Sequence, residues 1–244
     1  MSSSVLIIGA KSDIAKELAR IYAKKNYDLI LAGRNIHELE EFSNDIKIRS
    51  TQNVILKEFD ITDFDSHEKF YNSLDEKPLG VIVVAGYMKE QKIVQKDWNE
   101  TLNTINVNYT GAVSILNIIA NDFEDRKYGF IVGISSVAGD RGRKVNYIYG
   151  SAKAGFTAYL SGLRNRLYDN DVHVLTVKPG FVYTKMTKNM DLPEKLTATP
   201  NEVAEDIFKA QQKKKDILYT KWIWRYIMCV IRHIPETIFK RMSI

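Results

Sequence analysis

Short apolar runs alternate with longer amphipathic stretches along most of this 244-residue chain. Runs of four to six apolar residues are typical of buried strands, whereas apolar residues three or four positions apart are typical of helices. Strands joined by long helical crossovers must run parallel. We therefore predict an α/β protein with a doubly wound parallel sheet of about seven strands. The predicted strands are 5–8, 29–32, 54–58, 81–85, 130–134, 172–177 and 217–219.

The chain is long enough for one large domain, and its formal net charge of +5 is unevenly distributed. From residue 213 to the end, eight basic residues stand against two acidic ones, so this segment carries +6 and the rest carries −1. A near-neutral body does not indicate a nucleic-acid-binding protein. We predict a main domain at 1–220 and a C-terminal helical tail at 221–244, which is basic, aromatic and amphipathic.

Cys229 is the single cysteine, so an internal disulfide is excluded and a reducing compartment is favoured. The apolar run that begins at Val5 is too short for a secretion signal and is typical of a first strand. No stretch reaches the roughly 17–25 apolar residues that span a bilayer. We expect a cytoplasmic protein without a metal site.

The most informative side chains lie near the middle of the chain. Tyr149 and Lys153 are four residues apart, so on a helix they share one face. A neighbouring ammonium favours the phenolate, and we expect it to lower the pKa of Tyr149 from its usual value of about 10. Ser136 closes an apolar run and brings a hydroxyl to the end of a predicted strand. A hydroxyl, a phenol and an ammonium around one point suit carbonyl reduction or alcohol oxidation, with a bound cofactor carrying the hydride.

Other polar and glycine-containing segments fall at equivalent places in the predicted sheet. Parallel sheets bind ligands beyond the carboxyl ends of their strands, and those ends meet at one rim. We therefore predict a ligand site at this rim. The features at or just after strand ends are Gly9, Asp60, Ala85-Gly86, Ser136 and Pro179-Gly180.

The segment 9–15, Gly-Ala-Lys-Ser-Asp-Ile-Ala, joins the first predicted strand to the first predicted helix. A glycine turn at a helix N-terminus presents free backbone N–H groups to a pyrophosphate. Only Gly9 matches the usual three-glycine pattern, because Asp13 and Ala15 occupy the other two positions. A simple helix cap at Ser12 or Asp13 is the alternative interpretation.

The end of the second predicted strand indicates which dinucleotide would bind. An acidic residue there would bind the ribose 2′-hydroxyl of NAD, whereas an arginine accommodates the 2′-phosphate of NADP. Asp28 lies at the start of this strand and Arg34 at its end, and Lys11 is a second candidate cation. We therefore favour NADP(H) and keep NAD(H) as the alternative. An exposed loop cation without a ligand is the other interpretation of Arg34.

Together these residues resemble the short-chain dehydrogenase/reductase family from about residue 5 to about residue 219. The serine segment 134–139, the Tyr-x-x-x-Lys of 149–153 and the Pro-Gly segment 178–184 follow in the family's order and spacing. Segment 9–15 is similar to the family's glycine-rich turn with two glycines replaced. Segment 83–86 is similar to its Asn-Asn-Ala-Gly with both asparagines lost, and 108–111 to the segment that holds its active-site asparagine.

The resemblance implies a Rossmann-like fold, an NAD(P) cofactor and hydride transfer to or from a ketone. It implies that Tyr149 protonates the developing alkoxide, that Lys153 lowers the Tyr149 pKa and holds the nicotinamide ribose, and that Ser136 fixes the carbonyl oxygen. Asn108 would hold a water that relays protons to Lys153. The implied cofactor-binding residues are Gly9, Lys11, Ser12, Asp13, Ile14, Arg34, Asp60, Ile61, Ala85, Gly86, Tyr149, Lys153, Pro179, Gly180, Val182 and Thr184.

Substrate recognition is less clearly marked. Residues 181–200 carry few periodic signals, and we expect them to form a lid. Arg141, Arg143 and Lys144 lie in the loop between Ser136 and Tyr149, and we hypothesise that they bind an anionic substrate such as a phosphate. A solvated basic loop is the alternative.

The tail, 221–244, mixes tryptophan, tyrosine and isoleucine with arginine, and Pro235 divides it into two predicted helices. This mixture suits an anchor on the anionic inner face of a membrane. Packing against another subunit of a homodimer or homotetramer, or over the protein's own pocket, is the alternative. The tail and the segment 9–15 resemble decaprenylphosphoryl keto-pentose reductases, which implies a lipid-linked keto-sugar. A reductase of a soluble or acyl-chain ketone, a cofactor-sensing regulator and a membrane-bound scaffold stay open.

Overall fold

The structure, a computed structural model, describes residues 4–188 and 190–242. Its strands are β1 (Ser4–Ile8), β2 (Asp28–Gly33), β3 (Val54–Glu58), β4 (Gly80–Val83), β5 (Gly129–Ile134), β6 (Val172–Pro179), β7 (Phe181–Val182), β8 (Thr197–Ala198) and β9 (Ile217–Thr220). Seven of them form a parallel sheet in the order β3-β2-β1-β4-β5-β6-β9. The predicted fold is confirmed. The fourth strand ends at Val83 rather than at residue 85, and the sixth continues to Pro179.

Helices cover both faces of this sheet. They are α1 (Asp13–Lys24), α2 (Glu40–Ser50), α3 (His67–Asn72), α4 (Gln91–Val94), α5 (Trp98–Ile105), α6 (Gly111–Arg126), α7 (Tyr147–Leu167), α8 (Pro200–Gln212), α9 (Ile223–His233) and α10 (Glu236–Phe239). Alternate residues of a strand point to opposite faces. Val5 and Ile7 of β1 therefore join the core under α1, α2 and α8, whereas Leu6 and Ile8 join the core under α3, α6 and α7.

The order of the sheet reverses between β1 and β4, which are neighbours although β2 and β3 lie between them in the chain. Ligands of doubly wound sheets bind in the crevice at such a reversal. Gly9 follows β1 with a φ of +85°, and a Cβ atom there would lie 2.6 Å from the backbone nitrogen of Ala85. Only glycine fits both the backbone conformation and this approach. The two strand ends therefore meet closely at the crevice.

Residues of the predicted lid and of the tail lie at the same rim. β7 and β8 form a small parallel pair, and Thr184, Lys185 and Met186 from the segment between them line the crevice. The predicted division of the tail at Pro235 agrees with the structure, in which α9 ends before it and α10 begins after it. Trp224 and Met228 of α9 are buried against Val137, so the inner face of α9 covers the protein's own pocket. Residues 243 and 244 of the predicted tail lie outside the described residues.

Within residues 4–188 and 190–242, no helix is both long enough and apolar enough to cross a membrane. The same residues contain no group of three or more potential metal-binding side chains.

Candidate active site

A cavity of about 1110 Å³ runs along the carboxyl ends of the strands, between the glycine turn and the lid. Every cofactor-binding residue predicted from the sequence lines this cavity, and so do Ser136 and Arg143. The topology thus brings together residues as far apart in the chain as Gly9 and Thr184. Asn108 and Arg141 are not among the lining residues.

The glycine turn meets the cavity at the N-terminus of α1. The hydroxyl of Ser12 accepts a hydrogen bond of 3.1 Å from the N–H of Ala15, so Ser12 caps this helix. The first N–H groups of a helix have no acceptor within the helix itself. Those of Asp13 and Ile14 lie at the cavity wall, where they suit an anionic ligand. The donor set of this turn therefore fits a pyrophosphate.

Charged side chains surround the end of the cavity beyond β2 and β3. The guanidinium of Arg34 is exposed and lies 3.9 Å from the carboxylate of Asp60, and Lys11 pairs with Glu38 at 2.9 Å. Lys57 also lines this end. These three basic residues fit a phosphate group, although Arg34 and Lys11 each already have a carboxylate neighbour.

Glu58 is an acidic residue at this end that sequence reasoning did not single out. Its carboxylate accepts hydrogen bonds from the backbone N–H groups of Asn35 (2.7 Å) and Ile36 (3.0 Å). The bond from Ile36 is the largest of the causes that hold the Glu58 pKa below its ordinary value. Glu58 is therefore ionised and bound to the chain that follows β2.

Asp60 is held rigidly at the end of β3. Its Oδ1 accepts hydrogen bonds from the N–H (2.9 Å) and the hydroxyl (2.7 Å) of Thr62. Burial acts to raise the pKa of Asp60, but the hydrogen bonds from Thr62 outweigh it, and the pKa lies below its ordinary value. Asp60 therefore presents an ionised carboxylate of fixed orientation to the cavity.

Ser136, Tyr149 and Lys153 all line the cavity, and the side chains of Ser136 and Tyr149 are hydrogen-bonded. Tyr149 and Lys153 lie on one face of α7, and the Lys153 ammonium is 5.8 Å from the centre of the Tyr149 ring. Lys153 is only 3 % exposed and donates a hydrogen bond of 3.0 Å to the carbonyl oxygen of Ile134. Ser136 accepts a hydrogen bond from the N–H of Ala138, which leaves its hydroxyl proton for another acceptor. The three side chains therefore bring a hydroxyl, a phenol and an ammonium to one cavity.

The pKa of Tyr149 differs in direction from the sequence-based expectation. Burial raises it to about 12, and a hydrogen bond with Ser136 lowers it only in part. Burial likewise lowers the pKa of Lys153 to about 8. Both shifts have the same cause, because a low-dielectric site disfavours the charged form of each group. The predicted lowering of the Tyr149 pKa by Lys153 is therefore wrong for this structure, since burial dominates.

Asn108 lies in a π-helical turn, Asn106–Thr110, between α5 and α6. Its side-chain nitrogen donates to the carbonyl oxygens of Tyr87 (2.6 Å) and Thr104 (2.8 Å). Its side-chain oxygen accepts from the N–H of Tyr87 at 3.3 Å. The Asn108 side chain thus braces the chain just after β4. Contrary to the expectation from the sequence, Asn108 is not among the residues that line the cavity.

The two arginines of the loop before α7 have different surroundings. Arg141 donates to the carbonyl oxygens of Ile231 and Ile234, both at 2.6 Å, and pairs with Glu236 at 2.9 Å. The guanidinium also lies 3.7 Å from the centre of the Phe239 ring. Arg141 therefore holds the tail, and its predicted role in substrate binding is wrong. Its positive charge complements the C-terminal end of α9.

Some lining residues were missed from the sequence, among them Met88, Asn146, Phe181, Met186 and Trp224. The indole N–H of Trp224 donates to the carbonyl oxygen of Leu196 at 2.9 Å. A Cβ atom on Gly180 would lie 2.0 Å from the indole nitrogen, so only glycine allows this contact. Asn146 lies one helical turn before Tyr149, a spacing that could have indicated it. No local sequence pattern indicated Trp224, because only the tertiary structure brings the tail to the cavity.

Comparisons with known proteins agree with this geometry. The family model of the short chain dehydrogenases matches residues 3–195. An uncharacterized oxidoreductase of Mycobacterium tuberculosis is 33 % identical over 244 residues, which covers 99 % of this chain and 97 % of the relative. The rat dehydrogenase/reductase SDR family member 7B is 25 % identical, with 98 % of this chain and 80 % of that protein covered.

Solved structures share the fold. A short-chain dehydrogenase from Sphingobium yanoikuyae, in complex with NADPH, superimposes with a TM-score of 0.83 at 23 % identity, covering 96 % of each chain. A short chain dehydrogenase from Burkholderia cenocepacia, in complex with NADP, has a TM-score of 0.84 at 17 % identity, covering 98 % of this chain and 97 % of that chain. With the family model matched over most of its length, this chain belongs to the short-chain dehydrogenase/reductase family and is an oxidoreductase.

Proposed function

We propose that this protein reduces a ketone to an alcohol, or catalyses the reverse reaction, with NADP(H) as its cofactor. The observation that carries the proposal is the convergence of Ser136, Tyr149 and Lys153 in the cavity that the glycine turn also lines. A phenol, a hydroxyl and an ammonium at one point can manage the proton of a carbonyl reduction. When bound, the cofactor supplies or accepts the hydride.

The side chains divide the remaining work. Ser136 donates its hydroxyl proton to the carbonyl oxygen and fixes its position. Tyr149, with a pKa raised to about 12 by burial, is a neutral phenol at physiological pH and can give its proton to the developing alkoxide. Lys153, with a pKa lowered to about 8 by burial, holds a proton that it can release close to neutrality. Lys153 is therefore suited to restoring the proton of Tyr149.

Asn108 supports this site indirectly. Its side chain is occupied by Tyr87 and Thr104, so it braces the strand end beside the cavity. The water relay to Lys153 stays a prediction for this residue. An Asn108→Ala variant that keeps the fold but loses the proton relay would show a lower kcat with an unchanged Kd for NADPH.

The preference for NADP(H) rests on the basic residues beyond β2. Arg34 lies at the end of β2, and Lys11 and Lys57 line the same end of the cavity. The carboxylate of Glu58 already accepts hydrogen bonds from the N–H groups of Asn35 and Ile36, just after β2. A ribose 2′-phosphate would thus meet cations at this point. Arg34→Glu should weaken NADPH binding more than tenfold and leave NADH binding nearly unchanged.

The experiment that tests the activity compares wild type with Tyr149→Phe. The variant should bind NADPH in a fluorescence titration with an unchanged Kd and lose nearly all turnover of ketones. Ser136→Ala should lose turnover in the same way. Retained turnover in Tyr149→Phe would overturn the assignment, and the absence of NADPH binding to wild type would overturn the function itself.

We propose further that the substrate is a keto-sugar that carries a phosphate or a lipid-linked phosphate, as the basic loop and tail suggest. The outer face of α9 supports this, because Trp222 and Tyr226 are 73 % and 62 % exposed and Arg225 and Arg232 lie beside them. Aromatic and basic residues on one helix face suit an anionic membrane surface. Flotation with phosphatidylglycerol vesicles should carry wild type upward and leave a Trp222→Ala/Tyr226→Ala variant behind. If both stay behind, a homodimer or homotetramer that covers this face becomes the better interpretation, and sizing of both proteins would show it.

A further inference from the structure

Two buried polar atoms, on residues that line the cavity, have no use in the chemistry described above. They are the Nε of Arg143 and the Oδ1 of Asn146, and neither has a hydrogen-bond partner among the described residues. Both residues line the cavity that contains Ser136 and Tyr149. A buried polar group without a partner costs free energy. Such groups in a binding cavity are therefore matched to a ligand.

The backbone explains why these side chains face the same region. The N–H of Asn146 donates to the carbonyl oxygen of Arg143 at 3.1 Å, which closes a turn immediately before α7. Asn146 is the residue that precedes α7, yet its side chain makes no capping hydrogen bond. Asparagine at this position usually spends its oxygen on the helix. Here the Oδ1 of Asn146 is not bonded to the helix, so it can accept a hydrogen bond from another donor, one helical turn before Tyr149.

Among the residues that the structure describes, no acidic side chain forms an ion pair with Arg143. The nearby carboxylate of Asp140 raises the Arg143 pKa, but burial is the larger effect and lowers it. Asp140 itself is committed elsewhere, because it pairs with Lys178 at 2.5 Å and accepts from the hydroxyl of Tyr219 at 2.7 Å. The Arg143 guanidinium is half-buried, and the nearby carboxylate already has other partners. Such a guanidinium favours an anion or an electron-rich oxygen as its own partner.

We infer that Arg143 and Asn146 form a substrate subsite for a polyhydroxylated ketone that carries an anionic group. Asn146 accepts a hydrogen bond from a hydroxyl close to the reacting carbonyl, and Arg143 donates to the anionic group. The inference rests on the proposed function and deepens it by assigning the residues that recognise the substrate's hydroxyl and its anionic group. An acyl-chain or simple alkyl ketone would leave both polar atoms unpaired, and sites built to bind a hydroxyl reject ligands that lack it.

The test uses three ketones of equal carbon number as probes: ribulose 5-phosphate, ribulose and 2-pentanone. Wild type should oxidise NADPH with the highest kcat/KM for ribulose 5-phosphate and the lowest for 2-pentanone. Arg143→Gln should reduce the preference for ribulose 5-phosphate over ribulose at least tenfold, and Asn146→Ala should reduce the preference for ribulose over 2-pentanone by a similar factor. Lys96→Gln, which changes an exposed cation outside the cavity lining, is the control and should alter neither ratio.

Calorimetric titration with ribulose 5-phosphate provides a readout that is independent of turnover. Wild type should bind this probe, and Arg143→Gln should bind it at least tenfold more weakly, with Arg143→Lys as a partial rescue. Equal affinity of wild type and Arg143→Gln, or no measurable binding to wild type, would overturn the subsite. Binding that is intact while no ketone oxidises NADPH would instead count against the proposed function. Far-UV circular dichroism of each variant excludes loss of the fold as the cause.

Discussion

The Oδ2 of Asp13 accepts a hydrogen bond of 2.8 Å from the backbone N–H of Lys185, 172 residues further along the chain. Asp13 stands at the first position of α1, where the family pattern has a glycine, and Lys185 lies in the lid. This one bond therefore ties the lid to the glycine turn across the cavity. Both residues line that cavity, so a ligand beneath the lid would be enclosed by the bond.

We expect the bond between Asp13 and Lys185 to slow the release of the dinucleotide. Asp13→Ala removes the acceptor and should accelerate NADPH dissociation about tenfold, since a hydrogen bond to a charged group is lost. Asp13→Asn keeps an acceptor oxygen and should change the rate less than about threefold. Stopped-flow displacement of NADPH measures both rates. Equal acceleration in the two variants would mean that the carboxylate charge, not the bond, matters.

Lys153 should lower the stability of the fold at neutral pH. Its pKa falls from 10.5 to about 8 on folding because of burial, so the unfolded chain holds more protons between those values. The resulting penalty is complete below about pH 8 and disappears as the pH rises towards 10.5. Lys153→Met should therefore be more stable than wild type by about 3 kcal/mol at pH 7, and this difference should narrow by about 2 kcal/mol at pH 9.5. Urea unfolding at the two pH values measures it. A difference that is independent of pH would contradict the assignment.

The same pKa predicts the pH dependence of reduction. Below pH 8 the Lys153 ammonium is charged and can restore the proton of Tyr149. Above this pH the ammonium is lost, so kcat for ketone reduction should fall about tenfold per unit. The oxidation of an alcohol should not fall over this range. A kcat profile for reduction that stays flat to pH 9.5 would show that Lys153 does not supply the proton.

Arg141 should be needed to keep the tail over the cavity. Arg141→Met removes hydrogen bonds to the carbonyl oxygens of Ile231 and Ile234 and should destabilise the docked tail by about 1–3 kcal/mol. Faster trypsin cleavage within the tail, and a red shift of tryptophan fluorescence as Trp224 becomes exposed, measure the effect. Arg225→Met changes an exposed arginine of α9, a helix of the tail, and is the control. Identical behaviour of the two variants would mean that Arg141 does not hold the tail.

Much of the site could be predicted from residue order alone. The strand ends are marked by the change from apolar to small and polar residues, and a parallel sheet must bring those ends to one rim. Gly9, Asp60, Ser136 and Gly180 were found in this way. The spacing of Tyr149 and Lys153 on one helix face is likewise a local property, so it needs no tertiary information.

The sequence by itself determined the sheet, the rim that carries the cavity and several of the side chains that line it, because periodicity and local spacing control each of them. Only the tertiary structure decided how each polar group is used. Arg141 and Arg143 stand two positions apart in one loop, yet one holds the tail and the other faces the cavity. Tyr149 has a raised pKa because burial, a property of the whole fold, outweighs the hydrogen bond with Ser136. Burial and long-range contacts depend on segments that are distant in the chain, and no local pattern contains them.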